Sequence, residues 1–456
     1  MEYASRLAGF ALCLAAGSAA AQPTPETQAL RREVEALRAD YEARIRALEE
    51  RLKKAEAAVA APAAAAPASA PPAVAAAPAS PAAAGSGLQT SLILTGQYQR
   101  TSRDPAGYRI RGFQLPPDAE VGPGPRGFSL GESELTLSAN IDPSFRGVAT
   151  VAFAPEDGVS VEEAFFETTS LGRGFTLKGG RFLSGIGYLN SQHRHVWDFA
   201  DAPLAYRAML GGQVNDDGVQ LTWLAPTDRF LELRAEAGRG RSFPGGDSSG
   251  NGAGRFSLAA HTGGDIGESH SWRAGLSFLR ARAADQGLAA VDTAGNDIVN
   301  AFTGNTRVWI ADAVWRWAPE GNATRRNFKL QAEYLHSTRD GELTADTTGV
   351  ASTDRYRAVQ SGGYLQGVYQ FMPRWRFGLR TEWLRPGSPF LGANAGLVAT
   401  DEGRPRKNSL MLEHNPSEFS RIRLQLARDQ SRPGPVDWQW LLQYQMSLGA
   451  HGAHGF

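Results

Sequence analysis

The chain has 456 residues, 51 of them glycine and 10 tryptophan, and its 47 Lys+Arg are balanced by 47 Asp+Glu. That balance leaves no basic patch for a nucleic acid, and runs of about 18 or more apolar residues, which a bundle of membrane helices needs, are missing. The single cysteine, Cys13, provides no disulfide framework.

The N-terminal stretch MEYASRLAGFALCLAAGSAAAQ carries Arg6, an apolar run from Leu7 to Ala16 and small residues up to Ala21. This is the pattern of a cleaved secretory signal over residues 1–21, and Cys13 leaves with it. Residues 22–58 follow as a helix. Leu30, Val34, Leu37, Tyr41, Ile45, Leu48 and Leu52 are spaced by 4, 3, 4, 4, 3 and 4. Eleven-residue periods predict a nearly straight or slightly right-handed periplasmic coiled coil, whose narrow apolar stripe favours oligomerisation. Residues 59–87 are rich in Ala and Pro; proline removes helix donors that lipid could not replace, so this segment is an extended linker and not a span.

From residue 88 onward the texture is alternation of apolar and polar residues between turn signals. Strands are expected near 89–100, 128–141, 145–154, 159–169, 175–184, 217–225 and 230–242. Later pairs turn at Gly267-Glu268, Gly321-Asn322, Met372-Pro373-Arg374 and Asn415-Pro416. Connections alternate between short and long, PEDG being a short exception among the long ones. An even count of about 16, with tight turns at one end and long loops at the other, predicts an all-β closed antiparallel transmembrane barrel over 88–456 in a Gram-negative outer membrane. The last strand, DWQWLLQYQMSLG, places Trp438, Trp440, Leu442, Tyr444, Met446 and Leu448 on one face and Gln439, Gln443, Gln445 and Ser447 on the other. The aromatic face is expected in lipid and the amide face in a wet lumen.

The run SELTLSANIDPSFRGVATVAFAPEDGVSVEEAFFETTSLGRGFTLKGGRFLSGIG resembles the early strands of the phosphate-selective (O and P) outer-membrane porin family. The likeness is in the order: strand, DP turn, strand, paired acids before an aromatic strand, then a GGRF strand leading into a long loop. The resemblance implies a passive channel, typically a homotrimer, embedded in outer-membrane lipid. Phe456 likewise resembles the carboxy-terminal aromatic read by outer-membrane assembly machinery.

Two sets of residues are candidates for controlling passage. Arg376, Arg380, Arg421 and Arg423 point inward by alternation and could line a cationic track. The same rule sends Glu232, Glu236, Asp312, Glu333 and Glu382 inward, and the barrel with its linker holds 38 basic and 38 acidic residues. Cross-strand pairing of lumen charges and at most mild charge selectivity are therefore expected. The long connection LNSQHRHVWDFADAPLAYRAMLGGQVND is third among the loops on its side, and such a loop is expected to fold inward as the pore constriction. It carries His193, Arg194, His195, Asp198, Asp201 and Arg207, with Trp197, Phe199 and Tyr206 to anchor it. Opposition of Arg194 and Arg207 to Asp198 and Asp201 would give a transverse field. His-x-His with nearby carboxylates is compatible with a transition metal, although hydrogen bonding within the loop is the commoner use of such residues, and no cofactor is implied. His451 and His454 form a second, distant pair.

No nucleophile motif with defined mechanics is present, so an enzyme is not the expectation. The expected function is passive diffusion of small hydrophilic solutes or ions. The competing one is a structural envelope tether, with the coiled coil reaching the periplasm or peptidoglycan.

Overall fold

The computed structural model describes residues 87–154, 158–246, 250–347, 349 and 351–449. The expected signal, the coiled coil, all but the last residue of the linker, and His451, His454 and Phe456 lie outside the described residues.

Alternation produces the strands. The first eight in chain order are β1 (Gln89–Thr101), β2 (Gly127–Leu130), β3 (Ser133–Asp142), β4 (Phe145–Ala154), β5 (Gly158–Thr168), β6 (Phe175–Leu183), β7 (Asn215–Leu224) and β8 (Phe230–Gly238). They are followed by β9 (Arg255–Ile266), β10 (His270–Val291), β11 (Asp297–Trp317), β12 (Asn327–Asp346), β13 (Ala351–Met372), β14 (Trp375–Arg385), β15 (Arg406–Ser417), β16 (Ser420–Asp429) and β17 (Asp437–Gly449). Both β2 and β3 pair with the same edge of β1, so they are two parts of one stave, broken at Gly131 and Glu132. The barrel therefore has 16 staves. It closes where β1 meets β17, from Ser91 opposite Gly449 to Thr101 opposite Gln439.

Closure pairs every stave with two neighbours, and the outer wall is apolar: Trp438, Trp440, Leu442, Tyr444 and Leu448 face out on β17 while Gln439, Gln443 and Gln445 are buried inside. Outward aromatics gather at the end with the tight turns, in Phe145 against Phe166, Phe175 against Trp223 and Trp315 against Phe328. A closed barrel with an apolar belt and an aromatic girdle is a bacterial outer-membrane barrel.

Two expected boundaries move. The stretch expected over 230–242 stops at Gly238, and the turn between β15 and β16 falls at Glu418-Phe419 instead of Asn415-Pro416. Ser417 pairs with Ser420 to close that hairpin, and a register shift after His414 absorbs Pro416, which has no N–H to offer the ladder. The four strands from β10 to β13 have 20 to 22 residues, about twice what a tilted strand needs to cross a bilayer. They stand as a tall wall at the loop end, and Ile110, Phe113 and Leu115 of the first loop belong to the same buried cluster as Leu288, Phe302, Leu343 and Tyr356 of that wall.

Candidate functional site

The third connection at the loop end, residues 184–214, lies inside the barrel. Its helix α1 (Leu204–Leu210) is buried along its whole length, follows Pro203 and ends at Gly211, whose φ of 71° is the left-handed conformation that glycine adopts without strain. Apolar contact holds one side: Leu204, Tyr206, Met209 and Leu210 join Ile186, Leu189 and Trp197 in the lumen cluster. Phe199 packs separately with Val368 and Met411. Gly378 leaves it a seat, because a Cβ there would stand 3.2 Å from the Phe199 ring.

A loop inside a barrel needs acceptors for its amides. Inward glutamates supply them. Glu236 accepts from Gly185 N at 2.7 Å, Glu333 from Tyr188 N and Leu189 N at 3.0 and 3.1 Å, and Glu382 from Leu204 N at 2.6 Å at the start of the helix. The Tyr206 hydroxyl also donates to Glu333, at 2.7 Å.

The six loop residues singled out by sequence divide into two clusters. Asp198 receives Lys329 Nζ at 2.9 Å and the Arg376 guanidinium, with Gln366 at 3.2 Å. Asp201 receives Arg207 at 2.8 Å, Arg380 and Lys407 at 2.6 Å each, and Gln425 at 2.8 Å. Burial pushes both carboxyls up, but Lys329 and Arg376 for Asp198, and Arg380, Lys407 and Arg207 for Asp201, outweigh it and hold both well below the usual carboxylate range. Apart from the contact of Arg207 with Asp201, the ion-pair partners of these loop charges come from the wall and the break just before β3 and not from one another. The wall was invisible in the linear spacing of the loop.

The second cluster holds His193, Arg194 and His195. His193 Nδ1 stands 3.1 Å from both Glu134 and Glu162, and its Nε2 2.9 Å from Glu163. His195 Nδ1 lies 3.0 Å from Glu134, and Arg194 pairs with Glu132 at 2.8 Å. Burial lowers the His193 imidazole, but hydrogen bonds with the three glutamates outweigh it and raise it well above its ordinary value. The carboxylates that meet the histidines are thus wall glutamates and not Asp198 or Asp201. The VEE of residues 161–163 and the GESE of residues 131–134 were the sequence signals for them.

The four inward arginines all engage the loop or its partners. Arg380 donates to the Asp201 carbonyl at 2.9 Å and lies 4.6 Å from the Phe199 ring centre. Arg421 donates to the His195 carbonyl at 2.6 Å, and Arg423 to the Trp197 carbonyl and Glu413, both at 2.7 Å. Arg376 bridges Asp198 and Glu413. Between the docked loop and β1, β16 and β17 lies a cavity of about 660 Å³. Gln97, Gln99, Gln425, Gln439, Gln443 and Gln445 line one wall of it, and Tyr108, Arg194, His195 and Trp197 line the other.

No family model matches the chain. Among solved structures, the outer membrane channel DcaP of Acinetobacter baumannii is 13% identical over 79% of this chain and 97% of its own, at a TM-score of 0.46. OprB of Pseudomonas putida is 14% identical over 80% and 94%, at 0.45, and an anion-selective porin from Comamonas acidovorans 10% identical over 79% and 99%, at 0.46. At that level of likeness no solute or charge preference transfers. An uncharacterized protein of Aquifex aeolicus (strain VF5) is 32% identical over 353 residues, covering 73% of this chain and 70% of that protein. With that identity over most of both chains, the chain belongs to the same family as the Aquifex aeolicus protein.

Proposed function

We propose that this chain is an outer-membrane channel for passive diffusion of small hydrophilic solutes, with at most mild charge preference, in which residues 184–214 form the constriction. The observation that carries this reading is the amide-lined cavity beside a loop whose charges are held by the wall. Glutamine amides offer both donors and acceptors without net charge, so they suit neutral polar solutes and small ions of either sign. The order of early strands supports an architecture of the phosphate-selective porin type. Engagement of Arg376, Arg380, Arg421 and Arg423 with the loop and with Glu413 and Glu382 argues against a phosphate preference. A homotrimer belongs to the same reading and is supported by the apolar stripe of residues 22–58.

Single-channel recording in a planar bilayer tests it. Stepwise conductance and a reversal potential near zero across a KCl gradient are expected, and deleting residues 192–202 should raise the unit conductance. A folded barrel that never conducts would instead support the envelope tether.

A further inference from the structure

Six side chains that the channel reading does not need converge where the third loop meets β3 and β5. Glu132 lies in the break of the stave and Glu134 just after it, with Ser133, the first residue of β3, between them. Glu162 and Glu163 come from β5, where Thr150 pairs with Glu163 and the next residue, Val151, with Val161. Glu162 is the extra residue of this bulge. Successive strand residues ordinarily face opposite ways, and the bulge instead aims both carboxylates at His193. Between the two glutamate pairs β4 presents only the small, buried Thr150 and Ala152, and His193 and His195 enter from the loop with their rings stacked at 5.5 Å.

We propose that His193, His195, Glu134 and Glu162 bind one divalent transition-metal ion of the zinc, cobalt(II) or nickel class, which ties the third loop to the barrel wall. Ligand atoms of Glu134, His193 and His195 lie within 4.8 Å of one another, as do those of Glu132, Glu134 and Glu162, with Glu134 common to both sets. Tetrahedral bonds of about 2.0–2.2 Å place ligand atoms roughly 3.3–3.5 Å apart. The three contacts of 3.0 and 3.1 Å, His193 with Glu134 and Glu162 and His195 with Glu134, need to widen only slightly, while His195 and Glu162 draw together, to admit an ion.

The orientation of His193 is the more specific sign. Its Nδ1 faces Glu134 and Glu162, while its Nε2 meets Glu163, whose other oxygen accepts from Leu183 N at 2.9 Å. A metal-binding histidine characteristically has its second ring nitrogen held by a carboxylate in this way. Four carboxylates against the guanidinium of Arg194 and the charge of Lys178, which is felt at Glu163, leave the pocket negative charge to spare, and Glu132 and His195 border the 660 Å³ cavity, which provides access. Two nitrogens in the set select against magnesium and calcium, which prefer all-oxygen cages.

The test uses untagged, folded barrel in detergent carrying His451→Asn and His454→Asn, so that the carboxy-terminal imidazoles cannot contribute. Titration with Co²⁺ alone should give one ion per chain and the strong visible absorption of a four-coordinate site. Zn²⁺ should displace it, and millimolar Mg²⁺ or Ca²⁺ should not. His193→Gln and Glu134→Gln should abolish the absorption, and Glu163→Gln, which spares every ligand, should weaken binding by about 10- to 100-fold. Folding of each variant is checked by heat-shifted electrophoretic mobility. Should a variant not fold, the parent's own titration decides. Absence of stoichiometric Co²⁺ in the folded parent overturns the proposal, as does binding that survives unchanged in folded His193→Gln or Glu134→Gln.

Discussion

Asp201 shows how far a single side chain governs the lumen. It is the common acceptor for Arg207, Arg380, Lys407 and Gln425. Asp201→Asn leaves three cations around a neutral amide, and removing one partner of a buried ionic set costs about 3–5 kcal/mol. Combined with Asp198→Asn, which strips Lys329 and Arg376 of a partner, the change should move the reversal potential clearly towards anions and raise conductance as the loop loosens. An unchanged reversal potential in a folded double variant would place the ions' path away from this cluster. The pH dependence follows from the same carboxylates. Their values in the folded protein lie below the ordinary aspartate value of about 3.9. A depressed carboxyl contributes its full docking stability above that ordinary value and loses it only as pH falls through the lower folded one. The docking that Asp198 and Asp201 supply should therefore persist from pH 7 to pH 4, and the difference in unit conductance between the parent and the Asp198→Asn, Asp201→Asn double variant should be maintained across that window, as conductance histograms can verify.

At the scale of elements, strand register decides which side chains meet. His261 on β9, Gly275 on β10 and Asp312 on β11 stand directly opposite one another across three strands. His261 Nε2 reaches to 3.4 Å from Asp312 only because the middle residue has no side chain; a Cβ on Gly275 would lie 2.2 Å from the imidazole and 2.4 Å from the carboxylate. Gly275→Ala should lower the temperature at which the barrel loses its folded electrophoretic mobility, whereas Gly96→Ala, where a Cβ meets nothing within 4 Å, should not. The third loop depends on register in the same way. Glu333→Ala removes the acceptor of two backbone amides and the Tyr206 hydroxyl, and each buried donor left unmade costs about 1–3 kcal/mol. Noisier and larger single-channel steps are expected from it.

For the whole molecule, the barrel and the N-terminal segment carry separate expectations. Closure through β1 and β17 completes the ring of strand pairings within the described barrel, so deletion of residues 26–58 should leave folding and unit conductance intact. The same deletion should reduce the heat resistance of the oligomer in detergent, because the apolar stripe from Leu30 to Leu52 has too little to bury on its own. An oligomer of unchanged size and heat resistance would mean that the helix serves another partner.

Period-two alternation by itself determined the strands, their inward and outward faces and the even count. The pattern is local, and a strand has only two faces to choose between. Thus the outward row from Trp438 to Leu448 and the inward Arg376, Arg380, Arg421 and Arg423 were legible in the sequence, as was the loop that carries His193 to Arg207. Turn positions were less so: Pro416 looks like a corner but sits in a strand, because a bulge excuses its missing donor. Only the tertiary structure decided the partners. Asp198 and Lys329 are 131 positions apart and Asp201 and Lys407 are 206 apart, distances over which sequence spacing carries no information about contact. The glutamates around His193 needed more still, since a bulge had to turn Glu162 and Glu163 to the same side before two strands and a loop could share one cluster.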